Sequence, residues 1–316
     1  MKLKIRILFK KILHLFMWFL IAFIGYFLLA IVVILDKFIL TESVAKPVVY
    51  TFYSTIFMFG ALLAWPFGVQ LLAGIDWWWA IISGVTFGLG LWTIFIAIKK
   101  GEASHISPFN GAVITIATYL IASLFLGEVL TRRQIIGIII LVFATCLLSF
   151  EKSKKHNGWH IGFVWAMVSG ILFAISHVTA KYLYEVYPFL TGFIWSRFFI
   201  GLVGLATLFS SDVRKIFAKK VVKKEKTAQK NVFTLVFFDK ILAVAAIILI
   251  QYAAALGSVS LVMALSGLQF MLLFVMIYAL TKFLPNLFKE YFTAQELRLE
   301  LAATALVVIG SALFVI

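Results

Sequence analysis

The sequence predicts an all-α polytopic membrane protein with ten transmembrane helices arranged as two inverted five-helix repeats. Three observations carry this. The 316 residues are 64% hydrophobic and only 13% charged, with mean hydropathy +1.09, far above a soluble domain's share of about 45–50% apolar residues. So much apolar surface cannot be hidden in one core, and lipid must be its solvent. The apolar residues also fall into ten runs of about the length a helix needs to cross a bilayer. Finally, segments of the first half recur in order in the second.

The ten runs lie near 12–35, 47–66, 77–98, 105–126, 133–150, 159–183, 188–210, 240–256, 259–281 and 297–316. The first follows MKLKIRILFKK, which looks like the basic region of a signal peptide. Its apolar stretch outruns a signal core of about 7–15 residues, so an uncleaved first helix is expected. In the third run Gly84 and Gly88 form GxxxG, with Gly90 beyond, a spacing that lets helix backbones touch. Trp77, Trp78 and Trp79 at its start are expected in an interfacial belt. Pro108, near Asn110 in the fourth run, is expected to mark an unwound point. Two longer breaks follow Phe209 and Leu280; the first is strongly basic, and the second, TKFLPNLFKEYFT, has the pattern of an interfacial helix or a loop.

The internal matches number three. AIVVILDKFI aligns with AISHVTAKYL at an offset of 144, placing Ala30 on Ala174 and Lys37 on Lys181. KKGEASHIS aligns with ALGSVSLVM at 156, and EVLTRRQ with EYFTAQE at 162. The last pair carries Thr131-x-x-Gln134 and Thr293-x-x-Glu296, capping boxes that start helices. Residues 1–152 and 158–316 are therefore expected to be two copies of one five-helix unit. An odd number of spans forces the copies into opposite orientations, the architecture of many alternating-access carriers.

These residues carry a resemblance. Trp165 to Gly204 in copy two is similar to half of an EamA-type carrier of the drug/metabolite transporter superfamily. So is Ser107 to Leu148 in copy one, through Ser107-Pro108, Gly127-Glu128 and Gln134-x-x-Gly137. The resemblance implies ten helices, export or exchange of metabolites, and a site between the halves. It names no substrate.

Within the runs, charge is rare and therefore informative. His177 and Lys181 lie four apart on one helix face, and Arg197 sits in the middle of the next run. We expect these three to offer positive charge to substrate, with Asn110, Gln269 and Trp195 as secondary lining. Each has a plainer explanation: a lysine snorkelling to headgroups, a neutral histidine bonded to a neighbouring helix, amides joining helices, an aromatic in ordinary packing. Tyr53, Trp92 and Tyr252 are further aromatic candidates, and Gln251 a further intramembrane amide.

The function expected is a secondary transporter, an exporter or exchanger of small polar or anionic metabolites working by alternating access. A flippase or carrier for a lipid-linked or phosphorylated sugar competes with it, as do a membrane enzyme on a lipid-linked substrate and a structural partner in a larger complex. The chain lacks a P-loop, an H-E-x-x-H motif and paired Asp-rich clusters, so no catalysis, metal or cofactor is expected. The single Cys146 forms no intrachain disulfide. The net charge of +15 is spread among loops near headgroups, which argues against nucleic acid as a partner. The bilayer and a small molecule are the expected partners, a homodimer is left open, and the expected location is the plasma membrane. Lysine and arginine counts put the termini outside the cytoplasm and the resemblance puts them inside, so orientation is undecided.

Overall fold

The computed structural model describes residues 17–35, 46–100, 103–149, 161–218, 226–283 and 294–314. Every regular element among them is helical. In order they are α1 (Met17–Leu35), α2 (Pro47–Ile56) with a 3-10 continuation over Phe57–Phe67, α3 (Asp76–Lys100), α4 (Ala103–Phe125), α5 (Arg132–Ser149) and α6 (Ile161–Val186). Then follow α7 (Phe189–Ala206), α8 (Ser211–Ala218), α9 (Lys226–Leu256), α10 (Val259–Ala264), α11 (Ser266–Phe283) and α12 (Ala294–Ala312). Seven spans among the described residues are long and apolar enough to cross a membrane: α1, α2 with its continuation, α3, α4 from Ile106, α6, α7 to Phe209, and α10 with α11. The apolar part of α9, Ile241–Leu256, is shorter. Lys37 and residues 284–293, expected as an interfacial helix or a loop, lie outside the described residues.

The chain divides into two compact units, Met1–Thr41 with Val129–Leu148 and Lys230–Ile316, and Glu42–Glu128 with Ser149–Gln229. Each unit draws helices from both halves of the sequence.

In the second unit α3 packs along α6 and α7, and α4 along α6. Small residues permit the approach. A Cβ on Gly84 would stand 2.3 Å from Phe199 Cβ, and one on Gly88 would stand 2.7 Å from Val203, so the GxxxG face of α3 is its contact with α7. Serines join α3 to α6. Ser83 and Ser176 each donate to the other's carbonyl (3.1 and 2.7 Å), and Ser169 donates to the Gly90 carbonyl at 2.8 Å. The spacing of seven on both helices is two turns, so all these bonds lie on one seam.

In the first unit the expected capping box opens α5: the Thr131 N–H donates to Gln134 Oε1 at 2.9 Å, and the Gln134 N–H to Thr131 Oγ1 at 3.4 Å. The Tyr26 hydroxyl donates to the Val262 carbonyl at 2.9 Å, joining α1 to α10. Gly137 on α5 lies against Gly310 on α12 and Phe314 just beyond that helix.

The expected break at Pro108 does not occur. α4 runs through it, because Pro108 is only the sixth residue of the helix and costs it a single bond near its start. A break falls instead in the second half of the sequence, at Leu265 between α10 and α11, next to Ala264, the position matched with Pro108 at the offset of 156. There Ser258 caps α10 by accepting the Leu261 N–H at 3.0 Å, and the Leu268 N–H turns back to Leu265 at 2.9 Å.

Candidate functional site

The site is best built from α7, whose ninth residue of 18 is Arg197. Polar residues are scarce there, and Arg197 is 3% exposed. Its guanidinium carbon sits 5.1 Å from the centroid of Phe87 on α3 and 4.8 Å from that of Phe193, one turn earlier on its own helix. It also donates to the Tyr184 hydroxyl on α6. Nε and Nη1 are buried with no hydrogen-bond partner, and no carboxylate among the described residues pairs with it. Cation–π contacts of this kind contribute up to about 2 kcal/mol each when desolvated. They soften the burial of a full charge without neutralising it.

His177 stands beside this group. It is half-buried, with its ring 6.4 Å from Phe173 and stacked at 20°, and 6.1 Å from Phe87 edge-on. Phe173, His177, Lys181 and Tyr184 follow one another at helical spacing, so they form one stripe along α6. α3, α6 and α7 thus bring together a cation, an imidazole and a set of aromatic rings in the interior of one unit.

The other expected residues fall elsewhere. Lys181 is 9% exposed, and its ammonium lies 3.5 Å from Glu185 on the next turn, a partner not foreseen from the sequence. The Asn110 amide donates to the Ala166 carbonyl at 2.7 Å and so joins α4 to α6. Trp195 is two residues from Arg197, roughly 200° around the helix. Its indole donates to the Gln70 carbonyl at 2.8 Å, and its ring packs on Trp65 and Trp77. Gln269 is half-buried on α11, in the first unit. Tyr53, Trp92 and Tyr252 are exposed, whereas Gln251 is buried. The tryptophan belt is divided: Trp78 faces outward, while Trp77 packs on Trp195 and Trp79 on Tyr182, because three consecutive helical residues cannot share one face.

Two polar clusters mark opposite ends of this unit. At the start of α3 the Asp76 carboxylate accepts from the Tyr182 hydroxyl (3.0 Å) and the Tyr187 hydroxyl (2.6 Å), and Tyr187 Oη accepts the Ala73 N–H at 2.8 Å. Donation to Asp76 holds the Tyr187 phenol above its usual pKa. At the other end Lys46, just before α2, pairs with Asp212 on α8. Its hydrogen bond holds the Asp212 carboxyl below the usual carboxylate range, helped by Lys215 and Lys99.

The apolar spans make this an integral membrane protein. Residues 16–150 match the model of the EamA-like transporter family, the family that the motifs resemble. An uncharacterised protein of Methanocaldococcus jannaschii is 39% identical over 75 residues, which are 23% of this chain and 53% of that protein. The chain thus spans about half the length of the curated relative it matches. A protein known from its crystal structure has the same fold over 94% of this chain and 97% of its own, at TM-score 0.64 and 17% identity.

Proposed function

We propose that the chain is a secondary transporter of small anionic metabolites in the plasma membrane, an exporter or exchanger. It crosses the bilayer ten times in two inverted copies and works by alternating access. The EamA match and the helices support a transporter. The anionic cargo rests on one observation: Arg197, buried mid-helix with two donors unpartnered. A charge deep in a membrane helix costs at least several kcal/mol, so such residues persist where they serve an ion or substrate path. A bound anion would supply the missing acceptors and the opposite charge together. Phe87, Phe193 and Tyr184 hold the guanidinium away from water, so a bound carboxylate or phosphate would interact with it more strongly than in solvent.

A thermal-shift screen of the purified protein tests this. Anions that raise Tm in the wild type are expected to lose their effect in Arg197→Ala and keep it in Glu128→Ala. If every stabilising compound keeps its effect in both Arg197→Ala and Lys181→Ala, the cationic site is refuted.

A further inference from the structure

We propose that the cargo of the Arg197 cage is a monocarboxylate with an apolar body, neither a zwitterion nor a phosphate dianion; this rests on the reading of Arg197 as the counter-charge of the substrate. The charge count comes first. Among the described residues no acid pairs with Arg197, whereas Lys181 is matched by Glu185 at 3.5 Å. A single negative charge balances it. A dianion would bring a second charge to a place where no second unmatched cation is described beside Arg197, and burying an uncompensated charge is far costlier than leaving it in water. A zwitterion would bring an ammonium where no described carboxylate pairs with the guanidinium.

Shape narrows the class further. Phe87 and Phe193 lie 5.1 and 4.8 Å from the guanidinium carbon, covering the group with rings. Its N–H donors project in the guanidinium plane, and a planar carboxylate with two acceptor oxygens suits that fork. The remaining walls are chosen from carbon: Phe173 and the ring of His177 stack at 6.4 Å, and Tyr184 already accepts from Arg197. A body rich in hydroxyls would lose its water here and find few donors or acceptors in exchange. An alkyl or aryl body would instead be favoured by burial.

Proteoliposomes holding the full chain, assayed at pH 7.5 against empty liposomes, decide the matter. Labelled phenylpyruvate is the probe, with unlabelled hexanoate, phenylalanine and glucose 6-phosphate as competitors; uptake of labelled hexanoate, phenylalanine and glucose 6-phosphate is measured in parallel. Saturable phenylpyruvate uptake is expected, inhibited by hexanoate and not by the other two. Arg197→Gln should lower it by about tenfold or more, the loss of one charged hydrogen-bonded contact. Arg197→Lys keeps the charge without the fork; it should fall between the two and covers the case in which the glutamine variant does not fold. If glucose 6-phosphate or phenylalanine is carried in an Arg197-dependent way and phenylpyruvate is not, the monocarboxylate class is wrong and the anion carrier stands. If uptake of a carried solute is untouched by Arg197→Gln, both are wrong. Failure of wild-type protein with an intact Tm to carry any of the four also overturns the monocarboxylate class.

Discussion

Single residues carry the sharpest consequences. Asp76 accepts from Tyr182 and Tyr187, tying the start of α3 to the end of α6. Asp76→Asn removes a charged acceptor from two donors, and each such bond is worth about 1.5–3 kcal/mol. We expect a clear fall in Tm with Arg197-dependent transport retained in the folded fraction. The pH dependence follows from Tyr187, whose folded-state pKa is raised by that bond. A raised pKa means the neutral phenol is favoured in the folded state. This stabilisation is therefore complete below the ordinary tyrosine pKa of about 10 and is lost as pH rises through the higher folded value. Thermal melts between neutral and strongly alkaline pH should show a loss that is smaller in Tyr187→Phe, where Tyr182 alone still donates to Asp76. Asp212 has the opposite sign: its lowered pKa gives stability present above the usual carboxylate value and lost in acid. Much of the residue level was legible. Arg197 and His177 stand out in the sequence because charge is rare in apolar runs, and the spacing Phe173–His177 and Phe193–Arg197, one turn each, also lies there. Phe87 was not legible, since only the packing of α3 on α6 and α7 brings it over the guanidinium. Trp195 was misplaced because nearness along a helix is not nearness around it.

At the scale of elements, the seam between α3 and α6 is the feature most open to test. Ser83, Ser176 and Ser169 each donate across it, with Ser176 at 2.7 Å. Interhelical bonds of this sort contribute about 0.6–2 kcal/mol each in membranes. Ser176→Ala should lower Tm modestly, whereas Gly84→Leu should abolish the folded protein, because even a Cβ at Gly84 meets Ile200 backbone nitrogen at 2.8 Å. Size-exclusion chromatography in detergent separates the two outcomes. The GxxxG spacing announced close approach but not which helix approaches. The capping box at Thr131 and Gln134 was read correctly because its bonds are local. The break was misread for the converse reason. Proline removes one local bond, and near a helix start that is tolerated, while the interruption at Leu265 follows from turn hydrogen bonds that no single residue type announces.

Across the whole molecule, lipid as solvent and the helical class follow from composition alone, since a bilayer admits helices wherever backbone groups must be satisfied within a segment. The compact units were not legible. The internal matches pair stretches of the two halves, whereas contacts group helices by packing, and each unit takes helices from both halves. One consequence concerns the unit made of Glu42–Glu128 and Ser149–Gln229. Chain direction sets Lys46, Lys99, Lys100, Arg214 and Lys215 at one of its ends, and Asp76, Glu128 and Glu185 at the other. Basic ends are held on the cytoplasmic side. In a Cys146→Ala background, Ser211→Cys should therefore react with membrane-impermeant maleimide only after cells are opened, and Val186→Cys in intact cells. The reverse pattern would contradict it.

The most direct measurement concerns Arg197→Met, with melting and transport read on the same preparation. A guanidinium buried for the sake of cargo is a burden to the empty protein, and exchanging an unbalanced buried charge for an apolar chain of similar reach is neutral or stabilising. The expected result is a Tm at or above that of the wild type together with loss of transport. A Tm several degrees lower, with transport retained in the protein that stays folded, would make Arg197 a structural residue and contradict the account.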